Sequence, residues 1–192
     1  MVLPITAYGH PVLRRVAEDI DQNYPNLQQL IDNMFETMYT TSGVGLAAPQ
    51  VNLPIRLIVM DATPYAAEDP QAMDFKRVLI NPEIIEEHGD DWEFNEGCLS
   101  IPDIREDVVR KQNIRIQYYD EHWKFHDEKY NSVMARIIQH EYDHLEGVLF
   151  VDRISSIRKM LLKRKLADIS RGEIDVDYKM IFPLKKKGRK RN

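Results

Sequence analysis

The chain has 192 residues, 43% hydrophobic and 30% charged, the proportions of an ordinary globular protein long enough to bury a sizeable core. One cysteine excludes an internal disulfide. No apolar run reaches membrane-spanning length and the first fifteen residues lack a signal or transit pattern, so the chain is expected to stay in the cytosol where it is made. The net charge of -5 conceals an asymmetry, because six cations between Lys185 and Arg191 leave residues 1–184 at about -11.

After an extended start, His10-Pro11 opens a short helical pattern through Val12, Leu13 and Val16. Pro25 suits a first helical turn, and Leu27, Leu30, Ile31, Met34 and Met38 recur at helical spacing as far as Thr40 and Thr41. Gly43-Val44-Gly45-Leu46-Ala47-Ala48-Pro49-Gln50 is a run of small residues closed by a proline and an amide; alone it reads as a loop between helix and strand. Ile55 to Met60 reads as a buried strand, and the Pro-, Ala- and acid-rich stretch 62–74 as a surface loop. Val78 to Asn81 and Glu83 to Glu86 read as strands bent at Asn81-Pro82. Trp92 to Asn95 then leads into Glu96-Gly97-Cys98-Leu99-Ser100, where the cysteine sits in a setting more polar than packing requires. Ile114, Ile116 and Tyr118 alternate with Arg115, Gln117 and Tyr119 as in a half-buried strand, Asp120 to Lys124 forms a turn, and Phe125 to Lys129 returns as the partner strand, with His122 and His126 read as surface histidines of this hairpin. A last helix is expected over Ser156 to Ser170, with Ile157, Met160, Leu161 and Leu166 as its inner face and Gly172 near its stop.

Between that hairpin and the last helix lies Gln139-His140-Glu141-Tyr142-Asp143-His144-Leu145-Glu146-Gly147, which contains H-E-x-x-H. On a helix, four residues at about 100° each bring His144 to within about 40° of His140, roughly 6 Å along the axis, so both imidazoles can reach one metal ion. Glu141 is then the candidate general base for a water on that metal. Asn131 can cap a helix starting at Ser132, apolar Met134, Ile137, Ile138 and Leu145 flank the motif, and Gly147 suits the stop, which together favour a partly buried metal helix over a solvated polar face. Two imidazoles need a third ligand. An H-x-x-G-x-x-H continuation would place histidine where Phe150 stands, so that pattern fails; a carboxylate such as Glu173 would serve, and Cys98 is the better candidate. Asp143 and Glu96 could each orient a ligand or make only a local structural bond.

Taken together, Gly43 to Gln50, Glu96 to Ser100 and Gln139 to Gly147 resemble, in the same order, the G-Φ-G-L-A-A-P-Q, E-G-C-L-S and Q-H-E-x-D-H-L-x-G boxes of the peptide deformylases, and the Ile101-Pro102 continuation resembles the bacterial form. The resemblance runs from His10 to about Phe150. It implies an α+β fold with antiparallel sheets packed around a central metal-binding helix and with N-terminal and C-terminal helices. It also implies a hydrolase that removes the formyl group from N-formylmethionine on nascent polypeptides, with Fe(II) as the physiological metal. Spacing alone supports a site of Cys98, His140 and His144 with an open fourth position, for which Zn, Ni or Co serve as well. Water acidified by the metal would give its proton to Glu141 and attack the formyl carbon, and Glu141 would return the proton to the leaving amine. By similarity, the Gln50 amide and the Leu99 backbone N–H would receive the oxyanion, the Val44–Gly45 backbone would pair with the substrate as an added strand, Arg105 would hold the peptide main chain, and Ile137 and Leu99 would line the methionine pocket.

The organisation expected is one catalytic domain over residues 1–184 and a basic tail over 185–192. The tail is either a solvated, mobile end or a phosphate-neutralising contact with the ribosome; no membrane or DNA partner is expected. Two rival readings share these features: a metalloendopeptidase built on the same helix, and a non-enzymatic RNA-binding module with a structural metal, which would require a fourth protein ligand.

Overall fold

The computed structural model describes residues 1–183. Its main sheet has five strands in the order β2-β3-β4-β5-β6, every neighbouring pair antiparallel: β2 (Gly45–Ala47), β3 (Leu57–Asp61), β4 (Lys76–Cys98), β5 (Ile101–Tyr119) and β6 (Phe125–Asn131). A separate parallel pair joins β1 (Ile5–Thr6) to β7 (Met180–Ile181), and so ties the two ends of the described chain together. Three α-helices complete it: α1 (Leu27–Thr40), α2 (Ser132–Leu145) and α3 (Ser156–Arg171). The expected α+β architecture, with antiparallel strands around the H-E-x-x-H helix, is present.

β3 is apolar on both faces because both are covered. Ile58 and Met60 join Ala47, Leu79 and the apolar residues of α2, whereas Leu57 and Val59 join Leu46, Val78 and Ile80 against Ile31, Met34 and Met38 of α1. Each such side chain contributes about 1.5–3 kcal/mol relative to exposure. α2 packs against β2, β3, β5 and β6 and is buried nearly all round, including Arg136, Gln139, Glu141, Asp143 and His144, so its polar residues must find partners inside the protein. Asn131 occupies its N-cap position but makes no side-chain capping bond. At the other end Gly147 adopts φ +70°, and a Cβ there would lie 2.8 Å from the Arg14 carbonyl, so only glycine allows the Pro11–Arg14 turn to pack against this corner.

Several expectations are corrected. The strands around the cysteine are far longer than the short runs the sequence suggested: β4 and β5 form a ribbon of 23 and 19 residues. Its bulge between Ile80 and Glu83 falls at Asn81-Pro82, where proline offers no N–H to the ladder, and the Asn81 side chain leaves to bond the backbone of Ile20. The stretch 62–74 is not wholly superficial, since Ala62 and Ala72 are buried and Tyr65 lines the main cavity. Pro25 precedes α1 instead of entering it. On α3 the inner face is Leu162, Leu166 and Ile169, packed with Ile101, Ile104 and Val108, while Ile157, Met160 and Leu161 are 68%, 67% and 62% exposed. Both triplets have helical spacing, and contact with β5 selects one. No helix among the described residues is long and apolar enough to cross a membrane. The basic tail lies outside the described residues.

Candidate active site

Cys98 ends β4 and leads into the two-residue turn Leu99-Ser100, while His140, Glu141 and His144 project from α2. The cysteine sulfur and one nitrogen of each histidine lie within 4.8 Å of one another, and Cys98 Sγ is 3.3 Å from His144 Nε2. A thiol and two imidazoles at this separation match the donor set and span of a single metal ion with ligand distances of about 2.0–2.3 Å. Glu173 does not join them; its carboxylate is 2.8 Å from Arg171 at the end of α3. Phe150, the position an alternative ligand pattern would have filled with histidine, stacks on the His140 ring at 6.1 Å.

A buried chain of charges orients His140. Glu96 Oε2 lies 2.8 Å from His140 Nδ1, and an ionised carboxylate only accepts, so Nδ1 carries the proton and Nε2 is left for the metal position. Arg110 grips Glu96 through Nε and Nη2 at 2.7 and 2.9 Å and reaches Asp143 through Nη1 at 2.7 Å; Arg136 adds a second cation on Glu96 at 2.9 Å, and Arg153 closes the chain on Asp143. Burial opposes the charged form of Glu96, but Arg110 and His140 outweigh it and hold the carboxyl well below its usual range. Of the two uncertain acids, Glu96 therefore contacts a candidate ligand directly and Asp143 acts on it only through Arg110.

Burial raises the Glu141 carboxyl to about 7, with Glu96 pushing further up and His140 pulling down. Burial likewise opposes the His140 cation, yet Cys98 and Glu96 raise it to about 10, and burial together with His140 drives His144 well below its ordinary value. Glu141 Oε2 is buried without a hydrogen-bond partner among the described residues, on the wall of the same cavity. Gly45 makes room for this carboxylate: a Cβ there would meet Glu141 Oε1 at 2.5 Å.

Gln50 stands in the 3-10 turn Ala48–Val51 that follows β2. Its Oε1 accepts the Ala47 N–H at 2.8 Å, which turns the amide nitrogen toward Cys98 Sγ, 3.4 Å away. The Val44 carbonyl already accepts the Asp61 N–H at 2.9 Å; since ladder groups alternate in direction, Gly45 is the residue whose backbone groups turn to the open edge of β2. Val44, Gly45, Gln50, Cys98, Leu99, Arg105, Ile137, His140 and Glu141 all line one cavity of about 650 Å³. Arg105 is tied to Asn95 by two bonds of 2.7–2.8 Å and reaches the cavity from the β5 side.

The sequence reading missed Arg110, Arg136 and Tyr178. Ile104, Glu106, Val108 and Arg110 alternate on the buried face of β5, and that period of two was the available signal, masked because two of the four are charged. Nothing local pointed to Tyr178, which reaches the cysteine turn from the far end of the chain.

The family model for polypeptide deformylase matches residues 2–160. A peptide deformylase of Christiangramia forsetii is 56% identical over 196 residues, covering 98% of this chain and 100% of that one, and one of Flavobacterium johnsoniae is 52% identical over 196 residues with the same coverage. Among solved structures, the peptide deformylase of Legionella pneumophila superposes with a TM-score of 0.77 at 36% identity, covering 90% of this chain and 98% of that one; the Thermotoga maritima enzyme gives 0.73 at 39%, covering 81% and 99%. With relatives matching over nearly their whole length, and with the three boxes converging on one cavity, the chain belongs to the peptide deformylase family of enzymes.

Proposed function

We propose that this protein hydrolyses the N-formyl group of formylmethionine at the start of newly made polypeptides, with Cys98, His140 and His144 holding a divalent metal. The observation that carries the reading is the convergence of one thiol and two imidazoles within 4.8 Å beside a buried carboxyl. A metal in that position acidifies a water molecule and polarises a carbonyl oxygen. Family resemblance points to Fe(II); the donor set also accepts Zn, Ni or Co, and metal analysis of protein purified without oxygen distinguishes them.

The chain's own residues supply the rest. Gly45 offers backbone N–H and C=O to the peptide at the edge of β2, and Arg105 steadies the main chain from the opposite wall. Ile137 and Leu99 flank the methionine side chain. The Gln50 amide, locked by Ala47, and the Leu99 N–H donate to the formyl oxygen as negative charge develops there. Glu141 takes the proton of the attacking water; oxygen adds to the formyl carbon, the carbon–nitrogen bond breaks, and Glu141 returns the proton to the departing nitrogen, giving formate and a free amino terminus.

Turnover of a formyl-Met peptide, measured beside its N-acetyl analogue and an internally cleavable peptide, tests the reading. Cleavage of the formyl substrate alone is expected; cleavage of the internal peptide would favour an endopeptidase.

A further inference from the structure

The turn Leu99-Ser100 carries Cys98 at its start and the Leu99 N–H within it, so its placement sets two of the groups assigned above. The β4–β5 ladder holds it only through the single Cys98–Ile101 pair. Pairing jumps from Gly97–Arg105 to Cys98–Ile101, so the turn follows an irregularity in the register. Its two carbonyls are instead held from outside the sheet. Ser100 accepts the Tyr8 backbone N–H at 2.8 Å, and Leu99 accepts the Tyr178 hydroxyl at 2.8 Å. These donors come from opposite ends of the chain, joined by the β1–β7 pair through Ile5 N–H to Lys179 and Ala7 N–H to Ile181, both 2.8 Å. Tyr178 and Leu99 also pack against the same apolar cluster, and Tyr178 lines the cavity.

We propose that Tyr178 is a positioning residue for the reaction: by donating to the Leu99 carbonyl it holds the Cys98–Leu99 turn, and so makes the segment after Gly172 part of the catalytic unit. The Leu99 carbonyl and N–H flank one Cα. Fixing the carbonyl restricts the swing of the turn, and with it the N–H that receives the formyl oxygen and the sulfur one residue earlier. That segment lies beyond residues 2–160, the part matched by the family model. The inference rests on the roles proposed above for Cys98 and Leu99.

Tyr178→Phe removes the hydroxyl and keeps the ring. Tyr118→Phe is the matched control, since that hydroxyl bonds Glu128 at 2.7 Å away from the cavity. In Tyr178→Phe, kcat on a formyl-Met peptide is expected to fall about tenfold with KM within about twofold and metal content unchanged, because misplacement of a catalytic group acts on the chemical step. In the cobalt(II)-loaded variant the sulfur-to-cobalt charge-transfer band is expected to shift, whereas Tyr118→Phe should lower thermal stability and leave both kcat and the band unchanged. Tyr178→Phe with wild-type kcat and an unmoved band overturns the proposal, whatever its melting temperature, as does a rise confined to KM. If wild-type protein does not deformylate at all, the functional reading fails, and the band alone decides: a shift upholds the positioning role and no shift overturns it.

Discussion

Cys98 is the sulfur ligand in the proposed site. Replacing it with serine removes the thiolate while nearly preserving size, so Cys98→Ser protein is expected to lose most of its metal or most of its turnover; full metal content at full rate would remove Cys98 from the site. Glu141 makes a different prediction because it is assigned no metal contact. Glu141→Gln should keep the metal and lose about 10²- to 10⁴-fold in kcat, since an amide cannot carry the proton. Metal content and single-turnover rate on one preparation check both. The grouping of these residues was legible locally: one helical turn separates His140 from His144, and Glu141 follows His140. Arg110 was not legible, because its partners Glu96 and Asp143 lie 14 and 33 residues away and only the fold brings them within 2.7 Å.

At the scale of elements, the corner that follows α2 is held by charge. Asp152, in the turn Phe150–Asp152, accepts from Arg14 in the Pro11–Arg14 turn and from Lys159 of α3 at 2.7 Å, so one carboxylate links three segments beside α2. Burial opposes its ionisation, but Arg14 and Lys159 outweigh burial and lower its pKa from 3.8 to about 2. A carboxyl depressed on folding adds stability that is fully present above its unfolded value and is lost as pH falls through the folded one. Wild type should therefore exceed Asp152→Asn in melting temperature at pH 6, and the gap should close as the pH is lowered from about 4 toward 2. A gap that stays constant over that range would show that the ion pairs contribute nothing. The elements were unevenly legible. β3 was readable because both faces are apolar; β4 between Glu86 and Asn95 was not, because much of its surface is exposed and its acids mask any alternation.

For the whole molecule, the separation of charge makes the last prediction. Residues 1–184 carry about -11 and the six tail cations oppose it, so an otherwise acidic enzyme has one end suited to phosphate. Deleting residues 185–192 should leave turnover of a short formyl-Met peptide unchanged and weaken binding to ribosomes at low salt, with the difference vanishing as salt rises. Equal binding by both forms at every salt concentration would reduce the tail to a solvated end.

The sequence alone determined the chemistry-bearing types and their local geometry, because H-E-x-x-H spacing on a helix, a glycine-flanked cysteine and a small-residue run each express a constraint satisfied within a few residues. It also determined the fold class, through the family those motifs share. The tertiary structure decided which groups face one another: Glu96 on His140, Gln50 on Cys98, Glu141 against Gly45, and Tyr178 on the turn beside the cysteine. It also chose Leu162, Leu166 and Ile169 over the equally periodic Ile157, Met160 and Leu161. Helical spacing fixes which residues share a stripe, but which stripe is buried depends on where β5 lies, and that is settled only when the sheet is assembled.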